Sequence, residues 1–158
     1  MKENIIAHVR KNDDGTWAPP HRLSDHLINT ARLAELYADK FNSGEWGRAA
    51  GLGHDVGKSR NAWQNYLEIK SGYDEEAHLE GKPGKIPHAI HGAKLVEDLF
   101  DGPGRFLAYC IAGHHAGLPD WSSAEGTGQS SLKFRQTQVK ELKDIDKFCI
   151  DLVRSAKP

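Results

Sequence analysis

The chain has 158 residues, of which 38% are hydrophobic and 27% are charged, and its formal net charge is −1. This length suits one domain with a real core, and the near-zero charge excludes a general basic field for nucleic acid, which would need a local patch. The sequence has no apolar run near the ~20 residues of a membrane span, and its first residues are too weakly apolar for a secretory signal. We therefore expect a cytoplasmic protein without a membrane partner.

The N-terminal segment predicts a short hairpin or an extended arm. Residues 5–9 are mostly apolar, and Asp14 and Gly15 separate them from Trp17. An Asp-Gly pair between apolar segments is typical of a hairpin turn. The two prolines at positions 19 and 20 are expected to end this arm.

Helical patterns follow in the first half of the chain. The first helix is predicted to begin near Ser24, a suitable N-cap, and to run to Phe41, with apolar residues at spacings of three and four. A segment at residues 45–56 follows, and another helix is expected at residues 59–70. This last helix is predicted to bury Trp63, Tyr66 and Leu67.

The second half alternates loops and helices. Residues 71–86 and 116–131 are polar and rich in glycine or serine, which predicts loops. Between them, Pro87 fits the first position of a helix that residues 101–104 interrupt. One long last helix is predicted from Leu132 to Arg154. The pattern as a whole predicts an all-α helical bundle.

The two cysteines point away from a thiolate metal site. Cys110 and Cys149 lie within apolar helical patterns and lack Cys-x-x-Cys spacing. We expect both to be small core residues.

The stretch Gly51–Lys58 has the closest grouping of potential metal-binding and charged side chains that we consider for a site. It places an imidazole, a carboxylate and an ammonium, those of His54, Asp55 and Lys58, within five residues. Imidazole and carboxylate are ligands for divalent metals, and a nearby cation suits an anionic substrate such as a phosphate. An isolated His-Asp pair is more often an ordinary surface feature. The three glycines of the stretch change that balance, because each costs about 1 kcal/mol in a helix and suggests close backbone approach.

Histidine is enriched, with nine residues in the chain. Five of them lie at predicted helix ends: His26, His54, His88, His114 and His115. Antiparallel helices can bring such ends into one cleft, and a bundle that collects His and carboxylate side chains can hold metal. Any one of these histidines is more often a satisfied core or surface residue. Five of them with an aspartate favour a site, because buried imidazoles without partners are costly.

This ordered set of residues resembles the HD phosphohydrolase superfamily and, more narrowly, the HD nuclease domain of the type I CRISPR-associated helicase-nuclease. The matching phrases lie between about residues 5 and 121, and they are Leu23–Leu27, Ala50–Lys58, Pro87–Ala93 and Ala112–Asp120. The last phrase is the most specific to the nuclease branch. The resemblance implies an all-α HD-domain bundle, with residues 1–158 as a single HD nuclease domain.

The resemblance also implies an activity and partners. The expected activity is metal-dependent cleavage of single-stranded DNA in CRISPR interference, an antiviral defence. The expected cofactors are one or two divalent transition-metal ions. The expected partners are single-stranded DNA, a helicase domain or subunit, and the CRISPR RNA-guided surveillance complex.

Residue by residue, the resemblance implies two metal positions. His26, His54 and Asp55 would hold the first ion. Asp55 would bridge to a second ion, whose further ligands would be His88, His114 and His115. The family pattern selects His88 over the nearby His91. Lys58 would contact a phosphate or position the attacking water.

One element of the family pattern is missing. The family usually supplies a final Asp from a later helix, and no phrase in this sequence matches it. Asp144, Asp146 and Asp151 lie in different surroundings and are not assigned to the site. Either the chain is the front part of a longer protein that lacks the final helices, or the site has one ligand fewer.

The types of side chain also indicate which metal ions and which substrates are favoured. Imidazole-rich ligation favours Mn, Fe, Co, Ni or Zn over Mg, which prefers oxygen. Stacking of bases on Trp63, Tyr66 or Trp121, with Lys82 and Lys85 at the backbone, would suit a single strand. Aromatic residues at helical spacing are nevertheless more often part of a core, and loop lysines are more often only solvated.

Two other functions compete with a nuclease. A phosphohydrolase of nucleotides or cyclic nucleotides would need a closed pocket, whereas an open groove across the metals would favour a polymer. A non-catalytic HD docking domain would keep these residues without turnover.

Overall fold

The computed structural model describes residues 5–71, 86–122, 129–140 and 142–158. The strands are β1 Ile6–His8 and β2 His21–Arg22, and the helices are α1 Leu23–Ala38, α2 Gly44–Gly53, α3 Asn61–Ser71, α4 Ala89–Gly113, α5 Leu132–Thr137 and α6 Lys147–Arg154. Short 3-10 helices lie at Asp39–Phe41 and Val56–Ser59. The predicted all-α bundle with an N-terminal hairpin is confirmed. Across the described ranges, each helix is too short or too polar to cross a bilayer.

The N-terminal hairpin continues past the two prolines that were expected to end it. β1 and β2 are antiparallel, with Ile6 opposite Arg22 and His8 opposite His21. Gly15 turns the chain with a φ of 82°, a left-handed value that glycine adopts without strain. Proline is compatible with extended backbone at a strand edge, so pairing resumes at His21 and leads directly into α1.

The start of α1 is set by the hairpin rather than by a side-chain cap. The helix begins at Leu23, whose N–H donates to the carbonyl oxygen of Ile5 at 2.8 Å. The predicted N-cap Ser24 is therefore wrong, because a backbone bond to Ile5, the residue before β1, takes the place of a side-chain cap. The helix buries Leu27 and Ala31 against α2.

The apolar core lies between α1, α2, α4 and α6. Its larger members are Leu23, Leu27, Leu52, Val56, Val96, Ile111 and Val153. A smaller cluster of Val9, Trp63 and Leu67 lies beneath the hairpin. These two clusters fix the helix ends that face the candidate site.

Helix α4 begins two residues after the predicted start. His88 is its N-cap, and Pro87 precedes the helix. The predicted interruption is confirmed, because Asp101 has φ 47° and ψ −121° and divides the helix at a kink. Pro103 follows and cannot donate a helical hydrogen bond.

The single last helix predicted from Leu132 to Arg154 is wrong. The structure has α5 and α6, and each begins with a side-chain cap: Ser131 accepts from Phe134 N–H, and Asp146 accepts from Phe148 N–H. Asp146 N–H in turn donates to Ser59 Oγ at 2.9 Å. Contacts with a distant part of the chain therefore override local helix propensity here.

The two cysteines differ in burial. Cys149 is buried, and burial raises the pKa of its thiol to about 12. Cys110 is exposed, so the prediction of a core residue is wrong for it. Most of the predicted loop at residues 71–86 and part of the loop at 116–131 lie outside the described residues.

Candidate metal centre

The carboxylate of Asp55 is the centre of the site, and its side chain is almost fully buried. Oδ2 lies 2.9 Å from His26 Nε2, 3.2 Å from His54 Nε2 and 2.9 Å from Lys58 Nζ. His26 comes from the first turn of α1, and His54 is the C-cap of α2. One carboxylate oxygen therefore receives two imidazoles and one ammonium.

The other oxygen of Asp55 faces a second set of histidines. Oδ1 lies 2.9 Å from His88 Nε2 and 3.7 Å from His114 Nε2. His115 joins this set through His88, with their Nε2 atoms 3.1 Å apart. The ligand atoms of Asp55, His88, His114 and His115 lie within 4.8 Å of one another. The structure thus brings together every residue that the sequence predicted for the site.

Glycines allow the helices to approach closely enough for this convergence. A Cβ on Gly57 would lie 2.2 Å from the carbonyl oxygen of His88, and one on Gly92 would lie 2.2 Å from that of Gly53. Any larger residue would push α4 away from the segment that carries Asp55. The close backbone approach predicted from the glycines of this stretch is confirmed.

Backbone carbonyls fix the orientation of two rings. His54 Nδ1 lies 2.7 Å from the carbonyl oxygen of Gly51, and His114 Nδ1 lies 2.6 Å from that of Ile111. A carbonyl only accepts, so Nδ1 of each ring carries a proton, and Nε2 of each ring is turned towards Asp55. This arrangement of a metal-ligating ring held by a carbonyl is common at metal sites.

The facing ring nitrogens are spaced as the ligands of one divalent ion would be. His26 Nε2 and His54 Nε2 are 3.0 Å apart, close to the separation across His88 and His115. Nitrogen atoms that share one ion at about 2.1 Å would lie about 3.0–3.4 Å apart. The donor set and its spacing therefore suit a transition-metal ion on each side of Asp55.

The protonation states also suit metal ligation. Burial raises the pKa of Asp55, but hydrogen bonds from His114, His26, His54 and His88 lower it further, so that the pKa lies well below its usual range. Burial lowers the pKa of His26, and this outweighs the opposite effect of Asp55. At neutral pH the centre therefore holds a carboxylate and a neutral imidazole.

Lys58 lies beneath this centre rather than at its surface. Its side chain is fully buried, with Nζ 3.4 Å from the carbonyl oxygen of Ala7 and 5.3 Å from the ring centroid of Trp63. The resemblance implied contact with a phosphate or with the attacking water. The observed position instead suits an ammonium that orients Asp55 from behind.

His8 also lies beside the centre, although it is not among the residues that the sequence predicts for the site. The ligand atoms of His8, His26 and Asp55 lie within 4.8 Å of one another, and the rings of His8 and His26 are 4.6 Å apart. His8 lies on a strand, so a search restricted to helix ends does not find it. The predicted hairpin could have indicated His8, because it leads into the helix that carries His26.

Other candidates lie outside the centre. Arg60 contacts both His91 and Asp144, at 3.4 Å and 2.9 Å. Trp63 is buried in the core and offers no surface for base stacking, whereas the half-buried Trp121 lies under the guanidinium of Arg105. Lys82 and Lys85 are outside the described residues.

Comparison with known proteins agrees with this geometry. The HD domain family model matches residues 23–149. The chain belongs to the HD domain family. The match includes each helix that contributes a predicted ligand to the centre of this HD domain, and it begins after the N-terminal hairpin. Family membership supports an HD-type phosphohydrolase in general terms.

A solved structure has a similar fold. It is described as a CRISPR-associated protein, and it aligns with a TM-score of 0.52 and 20% identity. The alignment covers 95% of this HD domain and 18% of that chain, so the HD domain corresponds to a small part of a much longer protein. At this identity the likeness concerns the fold alone. No curated protein matches the chain.

Proposed function

We propose that this HD domain is a metal-dependent nuclease that cleaves phosphodiester bonds of single-stranded DNA in CRISPR interference. The observation that carries the proposal is the convergence of four imidazoles on the two oxygens of one buried carboxylate, Asp55, with a fifth imidazole, that of His115, joined through His88. Membership of the HD domain family supports the hydrolytic chemistry. The similar fold of a protein described as CRISPR-associated supports the biological setting.

Each side of Asp55 is proposed to hold one divalent ion. His26 and His54 would share the first ion with Asp55. His88, His114 and His115 would share the second ion with the same carboxylate. Ions bound there would activate water and neutralise charge on the phosphoryl oxygens.

The protein itself contributes orientation and charge. Lys58 holds the carboxylate of Asp55 from the buried side, and backbone carbonyls hold the rings of His54 and His114. Ligands that are already oriented lose little further freedom when metal and substrate bind. Imidazole-rich ligation favours Mn, Ni, Co, Fe or Zn over Mg.

Open space beside both sets of histidines supports a polymeric substrate. A cavity of about 450 Å³ is lined by His8 and other hairpin residues. A second cavity of about 680 Å³ includes Pro87 and Ala116, the neighbours of His88 and His115, and also contains Arg135. A strand that crosses the centre would have room on both sides, whereas a nucleotide hydrolase needs an enclosed pocket.

The length of the structural neighbour supports the proposed partners. The aligned region is 18% of that chain, so its HD-like part is accompanied by a large remainder. We propose that residues 1–158 act as one HD nuclease domain beside a helicase domain or subunit. In this proposal the RNA-guided surveillance complex delivers the single strand.

A circular single-stranded DNA substrate tests the proposal. The metal-free chain is incubated with the circle and Mn²⁺, and we expect a linear product, because only an endonuclease opens a circle. Asp55→Asn should abolish cleavage, while Asp151→Asn, at an exposed carboxylate paired with Arg154, should cleave normally. Hydrolysis of nucleotides with intact DNA would instead indicate the small-molecule enzyme. Metal binding without any turnover would indicate a docking domain, and either result would overturn the proposal.

A further inference from the structure

The hairpin brings an additional imidazole to the first metal position. The ligand atom of His8 lies within 4.8 Å of those of His26 and Asp55. The rings of His8 and His26 meet nearly at right angles, with an interplanar angle of 82°. His8 lies outside the part of the chain that the HD domain family model matches. Its position is therefore a property of this chain's own N-terminal segment.

The backbone that precedes His8 is held by side chains from other parts of the chain. The Gln64 side chain accepts from Ile6 N–H at 3.1 Å and donates to the Ile6 carbonyl oxygen at 2.9 Å. The next carbonyl, that of Ala7, accepts from Lys58. Because the backbone before His8 is held, metal binding would need to order little more than the His8 side chain.

The polar contact of His8 indicates the form of its ring. Its Nε2 lies 3.5 Å from Lys58 Nζ, and an ammonium can only donate. In that contact Nε2 of His8 is therefore the acceptor and carries no proton. This is the form in which an imidazole binds a metal.

We propose that His8 is a further protein ligand of the divalent transition-metal ion at His26, His54 and Asp55. Three imidazoles and one carboxylate would then hold this ion, a complete set of protein ligands for a four-coordinate site and most of a six-coordinate one. The hairpin becomes part of the metal centre. The inference rests on the proposed function only in requiring that the centre binds metal.

Metal titration of the full chain tests the role of His8 without any measurement of cleavage. Metal-free protein is titrated with Mn²⁺ by calorimetry, and with Co²⁺ by visible absorption, which reports the ligand set. We expect His8→Gln to weaken one ion by at least about tenfold and to change the Co²⁺ spectrum. His26→Gln should weaken the same ion.

His21 supplies the matched control. It pairs with His8 in the hairpin and its ring lies 5.5 Å from that of His26, but it is exposed and outside the group of close ligand atoms. His21→Gln should leave Mn²⁺ affinity and the Co²⁺ spectrum unchanged. A second measurement uses the unmutated chain, in which Co²⁺ should give the His8 ring protons the large paramagnetic shifts of a directly bound imidazole.

The outcomes separate this inference from the proposed function. If the chain binds Mn²⁺ and Co²⁺, but His8→Gln changes neither affinity nor spectrum, the role of His8 is overturned and the nuclease proposal stands. If the unmutated chain binds neither ion, both are overturned. If His8→Gln does not fold, the paramagnetic shifts in the unmutated chain decide.

Discussion

The candidate metal centre and the apolar core lie on the same short segments of the chain, but their side chains have opposite chemistry. Val56 and Lys58 are two residues apart in one 3-10 helix, and both are fully buried. Likewise, Leu27 packs in the core beside His26 on α1. Burial of Leu27 and Val56 stabilises the fold, whereas burial of a charge is costly unless an opposite charge or a metal compensates. The two regions should therefore respond differently to mutation, pH and metal.

The largest expected effect is on activity, at the carboxylate shared by both halves of the centre. Asp55→Asn keeps the shape of the side chain but removes the charge that the ions would share. We expect DNA cleavage in Mn²⁺ to fall by at least about a thousandfold. Initial rates on the circular substrate measure it, and far-UV circular dichroism checks that the helices remain. A variant with normal rates would contradict the role of the centre.

The identity of the ion gives the next largest effect. We expect cleavage with Mn²⁺ or Ni²⁺ and at least about tenfold less with Mg²⁺ alone, because imidazole ligands disfavour Mg²⁺. The comparison uses metal-free protein with each ion added separately. Equal rates with Mg²⁺ would contradict an imidazole-rich centre.

Replacing the buried ammonium of Lys58 should make the unfolding free energy of the protein depend more strongly on bound metal. Lys58→Met keeps an unbranched side chain of similar length but leaves Asp55 without its cation. We expect a loss of up to about 3–5 kcal/mol of unfolding free energy in chelator, and a smaller loss in Mn²⁺, where metal supplies the missing charge. Denaturant unfolding with and without Mn²⁺ measures this difference. An equal loss in both conditions would argue against a metal beside Asp55.

The apolar core should show the opposite behaviour. Leu27→Ala removes a fully buried side chain, and we expect it to cost about 2–5 kcal/mol in chelator and in Mn²⁺ alike. Leu36→Ala, at a residue that is 61% exposed on the same helix, is the control and should change stability by less than about 0.5 kcal/mol. If Mn²⁺ restored the stability of Leu27→Ala, the core and the candidate metal centre would not differ in their response to metal.

The smallest expected effect is the pH dependence of the metal-free protein. Burial lowers the pKa of His26 from its usual 6.5. In mildly acidic solution, the His26 ring therefore binds a proton more readily in the unfolded chain than in the folded protein. Stability should therefore fall as pH drops below about 6.5, whereas Asp55, whose pKa is lowered, adds to the loss only below its usual value near 3.8. Thermal unfolding in chelator across pH 5–8 measures the slope, which His26→Gln should reduce. An unchanged slope in that variant would assign the acid sensitivity to other groups.

The sequence predicted the centre better than it predicted the elements around it. Five histidines near predicted helix ends and the phrase around Asp55 are visible in the sequence itself, because helical periodicity places each helix approximately and the family resemblance selects His88 over His91. The split between α5 and α6 depends on contacts of Ser59 and Arg60 with residues more than eighty positions away. Such contacts leave no periodic signal in one sequence.

His8 and Lys58 illustrate the same limit within the site. His8 reaches the centre only because the hairpin pairs it with His21 beside α1. The burial of Lys58 depends on that hairpin, whose backbone lies over its ammonium. Both features depend on where the strand lies relative to the helix. The spacing of residues along the chain does not determine that position.

The most direct test of the account is a crystal structure of the chain grown with Mn²⁺ and analysed by anomalous scattering. We expect one or two peaks, each about 2.0–2.3 Å from an oxygen of Asp55 and from nitrogens of the surrounding histidines. Saturating Mn²⁺ with no peak beside Asp55, or with peaks only at surface carboxylates, would contradict the claim that these imidazoles converge to hold metal.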